Sequence, residues 1–209
     1  AQELRADWAK RDGEKKPWSV IDKMAAGCEG LKFIINPNER EFLSPGDMAG
    51  KIRRFCERTG QGTPNDAETI RCVYDSLGLC FRAKLEQLSE LSVYDCLNIV
   101  GGGSNADVLM RIATDICNVK VIAGPVEATA TGNILSQAMA AGSVKDLVSA
   151  REIVKSSFTP KIYSPRPVTA HPTMPLMQNS GNSQKKIEVL RKIRNREDAC
   201  NTLSRFFLQ

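Results

Sequence analysis

The sequence predicts an α/β domain, and three observations carry that expectation. A short apolar run, Leu97-Asn98-Ile99-Val100, enters three consecutive glycines and leaves them in a helical pattern. A second apolar run, Val119-Lys120-Val121-Ile122-Ala123, follows that helix and ends at Gly124-Pro125. Upstream, Ile70, Val73, Leu77, Cys80, Phe81, Leu85 and Leu88 recur at the spacing of a long core helix.

Residues 1–11 read as a helix that opens without Met or a cap, as in a piece cut from something longer. Pro17 suits the first turn of a second helix, Trp18 to Ala26, with Gly27 or Gly30 as its stop. Leu31-Lys32-Phe33-Ile34-Ile35 is a short strand or extended run, and Asn36-Pro37-Asn38-Glu39 turns the chain. A helix then runs to about Thr59 and stops at Gly60-Gln61-Gly62-Thr63-Pro64. Asn65 or Asp66 caps the long helix, which extends to about Leu91. Gly78 inside it costs about 1 kcal/mol against Ala unless a neighbour packs close. Tyr74-Asp75 and Tyr94-Asp95 lack a partner carboxylate at a defined spacing, so solvated or capping roles are expected of them.

The glycine turn is the candidate functional element. Three glycines in a row suggest a backbone that must lie close to something. Ser104 or Asn105 can cap the helix behind it, placing Val108, Leu109, Ile112, Ala113 and Ile116 on one face. Unpaired N–H groups and the dipole at such a helix start favour an anion, commonly a phosphate. The same pattern also describes turns that hold no ligand. A nicotinamide site is disfavoured, because Gly101-Gly102-Gly103-Ser104-Asn105-Ala106 lacks the last glycine of the dinucleotide motif. The acidic residue that motif wants at the end of the next strand is also missing, since Gly124-Pro125 stands there. Glu127, in the first turn of the next helix, has a capping and dipole role as its plain reading. That helix start is full of small residues, where another backbone can pack closely. A further helix is expected over 144–156, then an extended stretch, Phe158 to Pro165. Residues 166–183 read as linker, and 184–206 as a basic amphipathic helix.

With 42% hydrophobic and 25% charged residues, 209 residues can bury a real core. No apolar run approaches the ~20 residues of a membrane helix, and a cytoplasmic protein without membrane contact is expected. The seven cysteines form no CxxC pair, so a metal site is not expected. Cys72 and Cys80 fall on the apolar face of the long helix, while Cys56 and Cys72 lie on sequential helices where a structural disulfide is one reading. The net charge of +5 gathers at Lys185, Lys186, Arg191, Lys192, Arg194 and Arg196, with few aromatics nearby, so no nucleic-acid partner is expected. His171 is the only histidine and lies in the Pro-rich segment, which removes Ser–His and Cys–His nucleophiles.

Several segments together resemble the FGGY carbohydrate kinases, and among them the rhamnulokinase subgroup. They are Ile35-Asn36-Pro37-Asn38, Phe42-Leu43-Ser44-Pro45-Gly46-Asp47-Met48, Phe55 to Gln61, Ile70 to Leu77, Leu97 to Ser104, and Val121 to Thr129. The resemblance covers residues 1–165 as an incomplete C-terminal ATP-binding domain, leaving 166–209 as linker and tail. It implies an actin-like ATPase (ribonuclease H-like) lobe, a mixed β-sheet flanked by helices, with the N-terminal lobe absent. It implies transfer of the γ-phosphoryl of ATP, with Mg²⁺, to the 1-hydroxyl of L-rhamnulose. Gly101, Gly102 and Gly103 would then meet the nucleotide, joined by Gln2, which matches the family's Gln-Glu helix start, and by Asn105. The family usually reads G-G-G-S-x-N, which would put Asn at Ala106; here it stands at 105. The sugar pocket and the aspartate base would belong to the N-terminal lobe as a partner, so no catalytic residue is expected in this chain and no turnover from it alone. A kinase of the same family acting on another sugar, and a non-catalytic interaction module, stay open as alternatives.

Overall fold

A computed structural model of the chain describes residues 1–89 and 93–166. The basic helix expected over 184–206, the linker before it, His171 and the end of the long helix near Leu91 lie outside the described residues. In chain order the elements are α1 (Gln2–Asp12), α2 (Trp18–Ala26), α3 (Arg40–Leu43), α4 (Met48–Arg58), α5 (Asp66–Ser89) and β1 (Cys96–Ile99). A 3-10 turn, Gly102–Asn105, leads to α6 (Asp107–Cys117), β2 (Lys120–Ala123), α7 (Ala128–Ala140), α8 (Leu147–Ser157) and β3 (Lys161–Tyr163). The α/β expectation holds.

The three strands form one mixed sheet in the order β1-β2-β3, with β1 parallel to β2 and β2 antiparallel to β3. One rung carries Leu97, Val121 and Tyr163, the next Asn98, Ile122 and Ile162. Adjacent rungs face opposite ways. Val121 and Tyr163 are buried on the face that α6 covers, and α5 packs on α6 behind it. The other face is open, with Asn98 exposed and Ile162 62% exposed.

Helix α5 is the centre of the core, packing against α2, α4 and α6. Its start is a reciprocal cap: Asn65 Oδ1 accepts the Glu68 N–H at 2.9 Å, and Glu68 Oε2 accepts the Asn65 N–H at 3.0 Å. Gly78 has a packing reason, since a Cβ there would meet Ile116 Cδ1 at 3.0 Å and Ile112 Cγ2 at 3.1 Å. The stripe is buried from Ile70 to Phe81, but Leu88 is exposed. The end of α6 crosses α5 near Gly78 and Arg82, whose groups meet Cys117 Sγ and the Ile116 carbonyl, so the last turns outrun their cover.

Residues 31–35 are not a strand. Ile34 and Ile35 are buried, yet side chains stand where a paired strand would be. Gln61 accepts from the Ile34 N–H and donates to the Ile34 carbonyl, both at 2.8 Å. Ser76 Oγ accepts the Ile35 N–H at 3.0 Å, and Asp75 accepts the Leu31 N–H at 2.5 Å. Asp75 is therefore neither solvated nor a cap; it is buried and ion-paired with Arg71 at 2.9 Å. Cys56, Cys72 and Cys80 are buried and free, so the Cys56–Cys72 disulfide is not present. Burial raises the Cys72 thiol well above its ordinary pKa.

The small-residue helix start also departs from expectation. Helix α7 has no buried residue, and a Cβ on Gly132 would meet nothing within 4 Å. Helix α8 begins at Leu147 rather than near 144, because Asp146 accepts the Ser149 N–H at 2.8 Å and fixes the cap there. Leu147 and Val148 stay exposed. No helix among the described residues is long and apolar enough to cross a membrane.

Candidate nucleotide-binding turn

Strands β1 and β2 run parallel, so the turns that follow them emerge at the same sheet edge. In open α/β sheets this carboxyl edge is where ligands sit. The two turns are tied to each other. Gly124 donates its N–H to the Ile99 carbonyl at 2.8 Å, and Gly101 donates to the Pro125 carbonyl at 3.0 Å. The Gly124–Pro125 peptide is cis.

The three glycines differ in what holds them. Gly101 has φ 83° and ψ −176°, a left-handed conformation that side chains resist. Ser104 then folds back: its N–H and Oγ both donate to the Gly101 carbonyl, at 3.0 and 2.7 Å. Its hydroxyl is thus committed to the turn and buried, and does not cap α6. Neither does Asn105; the N-cap of α6 is Ala106, which has no side-chain cap. The 3-10 turn displaces the helix start by one or two residues, which the helical pattern alone did not reveal. Gly102 is exposed, and a Cβ there would meet nothing within 4 Å. The chain's own packing therefore does not require glycine at 102. The N–H groups of Gly102 and Gly103 open a 3-10 turn, so they have no acceptor within it.

A polar cluster behind the turn carries residues that sequence reasoning missed. Asp107, the first residue of α6, accepts from the Tyr163 hydroxyl at 2.5 Å and from Lys161 Nζ at 3.0 Å. These two donors hold its carboxyl below the usual range. Burial, then the hydrogen bond to Asp107, pushes the Tyr163 phenol up to about 12. Asp22 of α2 receives the Tyr74 hydroxyl at 2.8 Å and also the Asp107 backbone N–H, and burial raises its pKa. An acid in the first turn of a helix was the one available signal for this cluster.

Gln2 stands exposed at the start of α1, whose main packing partner is α4, and no hydrogen bond joins it to the glycine turn. Asn105 ends the 3-10 turn with its side chain exposed. Glu127 occupies the N-cap position of α7 but makes no capping hydrogen bond. Among the described residues, no three His, Cys, Asp or Glu side chains gather as a metal site.

Comparison with known proteins gives this geometry a family. Residues 1–141 match the C-terminal domain of the FGGY family of carbohydrate kinases. A rhamnulokinase of Enterococcus faecalis is 40% identical over 165 residues, which is 77% of this chain and 33% of that protein. One from Pectobacterium atrosepticum is 43% identical over 154 residues, 72% of this chain and 31% of that protein. One from Bacillus subtilis is 33% identical over 170 residues, 80% of this chain and 33% of that protein. The chain thus spans about a third of the length of these relatives. On the match of residues 1–141, the chain belongs to the FGGY family of carbohydrate kinases.

Proposed function

We propose that this chain is the nucleotide-binding part of an ATP-dependent sugar kinase, and that the complete protein phosphorylates L-rhamnulose at its 1-hydroxyl. The observation that carries the nucleotide reading is Gly102, a glycine with open space where its Cβ would be, at the carboxyl edge of two parallel strands. Ligand approach explains a glycine there that internal packing does not. The neighbouring N–H groups of Gly102 and Gly103 suit phosphate oxygens. Gly101 shapes the turn, and Asn105 and Gln2 are assigned to ATP by resemblance alone. The sugar assignment rests on the relatives named rhamnulokinase. The mixed sheet with helices packed on it supports the actin-like lobe.

In the mechanism these residues bind and orient. Phosphoryl transfer depends on positioning and on neutralising charge along the phosphates. The glycine turn fixes one end of the nucleotide with backbone dipoles that need no reorganisation. Mg²⁺, where bound, would neutralise phosphate charge, and no residue of this turn is assigned to hold it. The base that takes the sugar hydroxyl proton is assigned to the N-terminal lobe. This chain is accordingly inactive by itself.

Titration of the ¹⁵N-labelled chain with ATP, followed by NMR, tests the binding role. The amides of Gly101 to Asn105 are expected to move most, at millimolar nucleotide, with the effect gone in Gly102→Asp. Shifts that map elsewhere, or that survive the Asp substitution, contradict the assignment.

A further inference from the structure

The cleft that α6 shares with β3 differs in chemistry from the glycine turn. It is an open cavity of about 720 Å³, and none of residues 101–105 lines it. Its charged lining is four cations, Arg71, Arg111, Lys161 and Arg166, against one carboxylate, Asp107. The acids that balance two of these cations stand behind them: the side chains of Asp75 and Asp115 are only 2% and 8% exposed. Asp22 is likewise turned to Tyr74 and to the backbone of Asp107. The one carboxylate in the lining, Asp107, is engaged by Lys161 and by the Tyr163 hydroxyl.

Two of the four are available to a ligand. Arg111 donates to the Ser164 carbonyl at 2.8 Å and lies over the Tyr163 ring, 5.3 Å from its centre, and its charge meets no carboxylate among the described residues. Lys161 is held by Asp107 in a pair that is 62% and 61% exposed, a contact solvent already weakens. Arg71 and Arg166 are pinned by their own acids and contribute field rather than contact. The apolar lining is Val108 and Ile112, which neighbour Arg111 on α6, and Ile162 of β3. The volume is within the usual span for small organic ligands, about 300–1,000 Å³, and far exceeds a bare phosphate. The planar guanidinium of Arg111 matches paired phosphate oxygens, with Lys161 as a second point charge.

We propose that this cleft binds a small organic molecule carrying a phosphate group, with Arg111 and Lys161 on the phosphate and the apolar lining beside Arg111 against its carbon skeleton. The site is separate from the glycine turn and does not depend on the nucleotide reading.

Calorimetric titration of the full 209-residue chain with fructose 1-phosphate, inorganic phosphate and fructose tests it. Saturable binding of the sugar phosphate is expected, about 10-fold or more tighter than inorganic phosphate, with no binding of the free sugar. Arg111→Gln and Lys161→Gln should each weaken it about 10-fold or more, while Gly102→Asp leaves it unchanged. Lys161 is exposed and on a strand end, so that variant carries the test if Arg111→Gln fails to fold. Absent binding, equal affinity in the Lys161→Gln variant, inorganic phosphate binding as tightly as the sugar phosphate, or loss in Gly102→Asp would each overturn the proposal.

Discussion

At Gly101 the backbone sits at φ 83° and ψ −176°, while one residue on, Gly102 has an ordinary backbone and open space beyond it. Substitution separates these two reasons for glycine. Gly101→Ala should lower stability by about 1–3 kcal/mol, read as a shift in urea midpoint, because the strained conformation is essentially reserved for glycine. Gly102→Asp should leave that midpoint within about 0.5 kcal/mol while abolishing nucleotide binding. Titration behaviour belongs to this scale too. Tyr163, Cys80 and Cys117 all have pKa values pushed up to about 12, chiefly by burial. Their folded values exceed the unfolded ones, so the stability linked to them is full below pH ~8.5–10 and is lost as pH rises toward 12. Urea melts at rising alkaline pH should show that decline, and Tyr163→Phe should flatten its upper part. A flat profile in the parent chain would contradict the burial of these groups.

Among the elements, the α5–α6 crossing makes the sharpest demand on sequence. A Cβ at Gly78 would press on Ile116 and Ile112 at 3.0 and 3.1 Å. Helix propensity favours Ala by about 1 kcal/mol, but overpacking typically costs about 1–3. Ile112 is buried and cannot retreat. Gly78→Val, adding bulk and a β-branch, should therefore destabilise by about 2 kcal/mol or more in thermal or urea melts. Asn65→Ala should remove about 1 kcal/mol by deleting the reciprocal cap of α5. Much of this level was legible beforehand. The stripe of α5, the unease about Gly78, the β1–turn–α6–β2 unit and the Trp18–Ala26 helix all follow from spacing that a single element satisfies locally. Leu31–Ile35 was not legible, because its backbone partners are side chains of Gln61, Asp75 and Ser76, distant in sequence. The same long reach hid the Asp107, Tyr163 and Lys161 cluster, which joins residues more than fifty positions apart. Ser104 misled as a cap because its hydroxyl serves the turn before it.

At the scale of the whole molecule, several large apolar side chains among the described residues are exposed. Ile162 on the open sheet face, and Ile134, Leu147 and Val148 on α7 and α8, are each more than half exposed. Exposed side chains of that size are available to an interaction face. The chain spans about a third of the length of its relatives, and the reading proposed above gives this surface a second lobe to meet. The isolated chain should bind a hydrophobic dye and self-associate in sedimentation experiments, and both effects should fall when the N-terminal part of a relative is added. The central claim, that this chain supplies the nucleotide half of a sugar kinase, meets its most direct test in that same mixture. The chain is combined with an N-terminal lobe from a rhamnulokinase, Mg-ATP and L-rhamnulose, and ADP release is followed beside a parallel mixture carrying Gly102→Asp. The account predicts ADP release only when both pieces and the sugar are present, and its loss with the Asp variant. No release from folded, associated pieces, or release that Gly102→Asp leaves intact, would contradict it.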